Sequence, residues 1–317
     1  MTTATDVAAR VRDGFARTIV GNEAPVFATL VAVLAGGHLL LEGVPGTAKT
    51  LIVRTLARLL GVEFRRIQFT PDLMPADVVG TTVFDPRSAT FSLRRGPIFA
   101  NVVLADEINR TPPKTQSALL EAMEERQATI DGEPQPIAPP FFVCATQNPI
   151  EFEGTYPLPE AQLDRFLVRA RTGYPSVDQE RGLIARALDG FDARDLAAAG
   201  VDAVTDRAEL IAAQAAVRTI HVEPAVRDYL LAVIVATRAA RDVALGASPR
   251  ASLALVAAAQ AAAAIDGRAF VTPDDVKDVA PFVLAHRVIV RPEAELEGAT
   301  AEAVVAGVLA SVPTPAR

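Results

Sequence analysis

Two spacings of apolar residues alternate along this chain. Short uninterrupted runs, Leu39–Leu41, Val102–Ala105 and Phe141–Ala145, predict buried strands, and Phe64–Phe69 alternates as a strand does. Between them apolar residues recur every three or four positions. Val7, Ala8, Val11 and Phe15 predict a helix over 5–18, a second helix lies near 24–35, and a third runs to Leu60 and stops at Gly61. Ile19-Val20-Gly21-Asn22-Glu23 reads as a turn, and 71–80 as a loop or short helix. Thr111-Pro112-Pro113 predicts a helix start with Thr111 as cap. Its buried face is Ala118, Leu119, Ala122 and Met123. Glu121, Glu124, Glu125 and Arg126 form a solvated or subunit-facing side.

Turn residues add two hairpins. One spans 83–99 around Asp85–Ser88, the other 128–137 around Asp131-Gly132. The first is either a plain surface hairpin or an insertion that presents residues to a client or a central pore. From Ser176 onward the pattern is helical. Ser176, Asp206, Glu223-Pro224, Ser248-Pro249 and Thr272-Pro273 mark helix starts, and 190–205 reads as a linker.

At 317 residues the chain has room for about two domains. Its single cysteine, Cys144, excludes an internal disulfide and sits in an apolar run, as a small buried hydrophobe would. His38, His221 and His286 lack metal-ligand spacing and read as structural. The first residues lack the apolar core of a signal peptide, and no apolar run reaches a membrane span of ~20 residues. The expectation is a soluble, cytoplasmic protein. A net charge of −7 argues against broad, sequence-independent DNA binding, although Arg94-Arg95 remains a local basic spot.

The chemistry concentrates at strand ends. After Leu39–Leu41 comes Gly43-Val-Pro45-Gly46-Thr47-Ala48-Lys49-Thr50-Leu51, then a helix. Strand, glycine loop and helix start aim backbone N–H groups and the positive helix end at one point, which suits phosphate. Lys49 adds a cation, and the Thr50 hydroxyl can bind Mg²⁺. The match to G-x-x-x-x-G-K-[ST] is imperfect, because Ala48 stands where the second motif glycine should be. It is expected to enter the helix, leaving Gly46 to supply the unusual backbone angle.

The run Val102–Ala105 ends in Asp106-Glu107. Where a strand ends and the chain turns, both carboxylates can overlook one cleft. Asp106 suits a place near Mg²⁺, and Glu107 suits orienting the attacking water. Asn148, just past the next strand, could hold that water or simply form a turn before Pro149. Arg165, alone, reads as a surface ion pair. Arg250 lies in the first turn of a helix, where a cation opposes the dipole, so it answers either an external anion or a local carboxylate.

The strings LLEGVPGTAKT, GPIFANVVLADEINRTPPKTQSALLEAMEE, ATQNPIEFEGTYPLPEAQLDRF, GASPRA and VTPDDV…AHR, in this order, closely resemble the MoxR family of AAA+ ATPases. The resemblance implies an α/β fold, a P-loop NTPase core (1–190) with a five-stranded parallel sheet, followed by a helical lid (191–317). It implies ATP and Mg²⁺ as cofactors. Gly43, Pro45, Gly46, Thr47, Ala48, Lys49, Thr50 and Leu51 would then be the Walker A loop, and Asp106 and Glu107 Walker B. Asn148 would be sensor 1, Arg250 sensor 2 and Arg165 the finger that reaches a neighbour's ATP. Ile19, Val20 and Gly21 would line the adenine, and Thr50 and Asp106 would serve the metal. The family typically forms hexameric rings that remodel or mature client complexes, often with proteins bearing von Willebrand A domains. Alternatives are a DNA-associated motor or transcription activator, a nucleotide-gated scaffold without hydrolysis, and a metal-chelatase motor subunit.

Overall fold

A computed structural model describes residues 3–149 and 154–315. Residues 150–153, within one of the strings above, lie outside the described residues. The chain opens with α1 (Ala4–Ala16), whose first turn is closed by a reciprocal bond pair. The Thr3 hydroxyl accepts the Asp6 N–H, and the Asp6 carboxylate accepts the Thr3 N–H. Helix α2 (Glu23–Ala35), strand β1 (Leu39–Glu42), helix α3 (Lys49–Leu60), strand β2 (Phe64–Gln68) and the short helix α4 (Pro75–Val79) follow. Gly61 ends α3 at φ 61°, a left-handed angle that glycine takes without steric cost.

Strands β3 (Gly80–Asp85) and β4 (Thr90–Arg95) form the first hairpin, and β5 (Val102–Asp106) leads to α5 (Pro113–Glu125). The second hairpin is β6 (Gln127–Ile130) with β7 (Glu133–Pro136). It turns on Asp131 and Gly132, both at positive φ, as a two-residue hairpin needs. Strand β8 (Phe142–Gln147), helix α6 (Glu160–Leu163) and strand β9 (Val168–Arg171) complete the first part.

Five of these strands form one parallel sheet in the order β2-β5-β8-β1-β9. The apolar runs are continuous because both faces are covered, and strand alternation divides them. Leu39, Leu41, Leu104 and Cys144 point into a core shared with α1, α2 and α3. Leu40, Val103, Ala105, Val143 and Ala145 point into the opposite core, under α4 and α5. All of these side chains are fully buried.

The remainder is helical: α7 (Val177–Leu188), α8 (Arg207–Val217), α9 (Pro224–Ala239), α10 (Pro249–Ile265), α11 (Pro273–Leu284), α12 (Pro292–Leu296) and α13 (Ala301–Ser311). A small antiparallel pair, β10 (Val243–Leu245) with β11 (Ile289–Val290), joins them. Ser176, Asp206, Ser248 and Thr272 each accept a backbone N–H three residues on, as caps do. Helix α10 is alanine-rich because it is enclosed. Ala251, Ala258, Ala259 and Ala261–Ala264 are buried against α2 and α11, where small side chains permit close approach. The apolar core therefore runs on across residue 190 from the sheet into the helices.

One local expectation changes. Pro112, not Thr111, precedes α5. The Thr111 hydroxyl instead donates to Leu73 O, tying α5 to the loop before α4. Arg126 is exposed, like Glu121, Glu124 and Glu125, and its guanidinium also donates to Phe141 O and Gly36 O.

His38 fastens the sheet to α5. Its Nδ1 accepts the Val143 N–H at 3.0 Å, so Nε2 carries the proton and donates to Met123 O at 3.2 Å. Burial lowers its pKa to about 3, with the Arg126 charge adding to the effect. Burial likewise holds His286 well below its ordinary value, with Arg287 adding. The unfolded chain takes up a proton on each ring near pH 6.5, and the folded chain does not. Their contribution is therefore complete above pH ~6.5 and shrinks as pH falls, by about 1.4 kcal/mol per pH unit for each ring. Urea unfolding at pH 7 and pH 5 should show that loss, and the His38 ring should remain neutral by NMR at pH 5. A His38 ring that titrates near 6.5 would contradict this.

Candidate nucleotide-binding site

The glycine loop leaves the carboxyl end of β1 and returns at once into α3. Two contacts brace it from below. The Thr47 hydroxyl donates to Val44 O, and it pairs with the Thr172 hydroxyl at 2.7 Å. Lys49 lies across the loop, its Nζ donating to Gly43 O at 2.6 Å and Val44 O at 2.8 Å. Ala48 departs from the expected helical entry. It precedes α3 at φ 65°, a left-handed conformation, and Gly46 is left-handed too, at φ 82°. The loop needs a second sharp turn just before the lysine, and alanine adopts it against the clash of its own Cβ.

Facing the loop, β5 ends in Asp106, and Glu107 turns the chain at φ 60°, ψ 48°. That turn brings two successive carboxylates onto one cleft. A relay fixes them. The Glu107 N–H donates to Thr146 Oγ1 at 2.9 Å, and the same hydroxyl donates to Asp106 Oδ1 at 2.6 Å. The other Asp106 oxygen accepts Arg66 Nε at 2.9 Å and Nη2 at 2.7 Å. Gln68 Nε2 donates to Glu107 Oε2 at 2.8 Å, and Arg110 lies 3.3 Å from the same oxygen.

Together these groups enclose a cleft of about 590 Å³. Pro45, Gly46, Thr47, Ala48, Lys49, Thr50, Leu51, Asp106, Glu107 and Asn148 line it. Gly43 lies buried beneath, offering its carbonyl to Lys49. Ile19 and Gly21 belong instead to a neighbouring apolar groove with Phe15, Phe27, Leu30 and Ile265, of about 350 Å³. Thr18, just before that turn, does reach the cleft, which has Leu183 and Phe191 among its apolar walls. Val20 is half-buried and lines neither.

Arg165 and Arg250 are absent from this cleft as well. They meet each other elsewhere, on Glu124 of α5. Arg250 Nη2 is 2.6 Å from Glu124 Oε1, and Arg165 Nη2 is 3.2 Å from Oε2. The Arg250 hydrogen bond, with the nearby Arg165 charge, holds the Glu124 carboxyl below its ordinary value. Asp164 sits 3.7 Å from Arg250 and binds the buried Arg287 at 2.6 Å. The misfit of Arg250 with its helix dipole is thus met by carboxylates of its own chain. Half of its side chain remains exposed.

Sequence reasoning passed over Arg66, Gln68 and Thr146. For Arg66 and Gln68 the signal was present in the two-residue period of β2, which sets them on one face beside β5. It could not be used without knowing that β2 and β5 are neighbours.

Thr50 and Asp106 offer the hard oxygens that Mg²⁺ prefers. Among the described residues no group of three or more His, Cys, Asp or Glu could hold a metal ion. A divalent ion here would draw its remaining ligands from phosphate oxygens and water, so these residues fit a metal that arrives with a nucleotide.

Residues 38–168 match the ATPase family associated with various cellular activities (AAA), and residues 235–308 match the AAA lid domain. Fold, loop and matches define an AAA-type ATPase core with a helical lid. Chaperone MoxR1 of Mycobacterium tuberculosis is 46% identical over 94% of this chain and 80% of its own. An uncharacterized Bacillus subtilis protein, YeaC, is 48% identical over 94% of this chain and 92% of its own. The crystal structure of a protein assigned as an ATPase from Cytophaga hutchinsonii superposes with a TM-score of 0.89. It is 37% identical and covers 99% of this chain and 96% of its own. The chain belongs to the MoxR family of AAA+ ATPases.

Ala48 gives a direct check on the loop. Replacing a left-handed alanine by glycine removes a clash of about 1–2 kcal/mol and adds about 0.4–1 kcal/mol of unfolded-state entropy. Ala48→Gly should therefore stabilise the protein by about 0.5–1 kcal/mol in urea unfolding at an unchanged m-value. Were Ala48 helical, the same change would cost about 1 kcal/mol.

Proposed function

We propose that the cleft binds ATP with Mg²⁺ and hydrolyses it where two copies of the chain meet, and that the cycle remodels or matures a client protein. One observation carries this reading. Lys49, Thr50, Asp106, Glu107 and Asn148 share a cleft, while Arg165 and Arg250 stand together outside it. A triphosphate in the cleft would have the water-orienting carboxylate and the phosphate-holding lysine from one copy. Its arginines would come from the next.

In this scheme Lys49 leaves the carbonyls of Gly43 and Val44 for the β- and γ-phosphate oxygens, and the α3 N-terminus adds its partial positive charge. The base lies toward Leu183 and Phe191, with Thr18 beside it. Thr50 and Asp106 would hold Mg²⁺, which neutralises charge on the phosphates. Asp106 must share its Arg66-bound oxygen or act through water. Glu107 leaves Gln68 to polarise the attacking water, and Asn148 helps to fix that water's position. Arg165 and Arg250 of the adjoining copy release Glu124 and stabilise the charge that develops on the transferred phosphoryl group. An assembly in which each copy serves the next closes as a ring or extends as a filament, and the family resemblance supports a hexameric ring with a von Willebrand A-domain protein as a partner. A chaperone-like role is supported by the name of the Mycobacterium tuberculosis relative. No described helix is long and apolar enough to cross a membrane.

Glu107→Gln should bind nucleotide nearly as the parent does and turn over about 10²–10⁴-fold more slowly. Lys49→Ala and Arg165→Ala should each be inactive alone. Mixed together they should regain turnover, because the intact cleft of one variant meets the intact arginine of the other. Turnover that stays at baseline in the mixture would refute division of the site between copies.

A further inference from the structure

Helix α7 forms one wall of the cleft and turns its apolar stripe away from the protein. No residue of α7 is buried. Gln179 packs against Gly21, Leu183 lines the cleft, and the Arg186 guanidinium donates to Ala16 O and Arg17 O. These three positions define the attached face. Val177, Ile184 and Leu188 recur at i, i+7 and i+11 on the opposite side, and they are 69%, 59% and 83% exposed. A helix that attaches by polar groups and exposes its apolar row has a second surface to meet.

We infer that this row is a docking surface for a second copy of the chain and that it receives Leu253. The inference rests on the proposed ATP site shared between copies. Arg165 and Arg250 do not line the cleft of their own chain, so in that reading the phosphate loop they serve belongs to another copy. Since Leu183 of α7 lines that loop's cleft, a face delivering two arginines there must also lie over α7. On the delivering face, Leu253 follows Arg250 by three residues on α10. It therefore shares Arg250's side of the helix, and it is 74% exposed. One copy thus offers Arg250 and Leu253, and its neighbour offers the cleft and the α7 row. The two surfaces differ, so the contact is head-to-tail and each copy can give and receive at once, as a closed ring needs. The apolar contact would set the distance at which Arg250 meets the phosphates.

A cysteine pair tests this in the full-length chain. The native Cys144 is fully buried and its thiol is pushed well up in pKa by burial, so it does not compete. With a non-hydrolysable ATP analogue and copper phenanthroline as oxidant, the chain carrying both Ile184→Cys and Leu253→Cys should give a ladder of disulfide-linked oligomers. Reductant should collapse it, and neither single variant should form it. Separately, Ile184→Asp or Leu253→Lys alone should reduce assembly at least tenfold in sedimentation velocity, and the two together should restore it. Both positions are exposed, so circular dichroism should match the parent. Absence of a ladder, or single charged variants that assemble like the parent, would overturn the inference. Titration with a fluorescent ATP analogue separates the two readings. Parent chain that binds nucleotide and assembles while the ladder is missing defeats only the α7 contact. Parent chain that binds no nucleotide defeats the ATP site and this inference with it.

Discussion

Three neighbouring parallel strands end at one edge of the sheet, and the candidate site depends on that alignment. The order β5-β8-β1 puts the Asp106-Glu107 end, the Thr146–Asn148 end and the glycine loop side by side. In an open parallel sheet this is the place where loops diverge and leave a crevice. The alternating burial of Leu39, Leu40 and Leu41 into opposite cores holds the strands in register. A slip of one residue would move Glu42 and the loop behind it relative to Thr146 and Asp106. The packed interior therefore sets the geometry of the candidate site, and the polar relay through Thr146 trims it.

The polar groups of the cleft are held by partners that nucleotide would have to replace. Lys49 rests on loop carbonyls, Asp106 on Arg66, and Glu107 on Gln68 and Arg110. Each partner satisfies a charge that would otherwise be costly near a low-dielectric core. In the proposed reading each is also a contact that phosphate and metal would exchange. Glu124 does the same for Arg165 and Arg250 on the far side. The cleft and the arginine pair are thus each neutralised within one chain, which suits the proposed site divided between copies.

Much of the fold was legible in the sequence, because its signals are local. The capping residues Ser176, Asp206, Ser248 and Thr272, the Asp131-Gly132 turn and the Gly61 stop each act within three or four residues. The apolar runs marked the central strands for the same reason. Ala48 was misread because helix propensity applies inside a helix, while its left-handed angle is imposed by the loop. Arg66 and Gln68 needed the strand order, which is not local. Arg250 needed the path of the helical part over the sheet to reveal that its carboxylates are Glu124 and Asp164. Ile19 and Gly21 line a groove separate from the cleft, a placement that depends on how the first two helices pack and not on the local sequence.

A site divided between copies has a kinetic signature that the chain alone can display. Phosphate release per subunit, measured with Mg²⁺ and saturating ATP across a wide range of protein concentration, tests it most directly. Activity per subunit should rise steeply where sedimentation shows the copies associating, and dilute single chains should be nearly inactive. Constant turnover per subunit by chains that remain monomeric throughout would contradict the account.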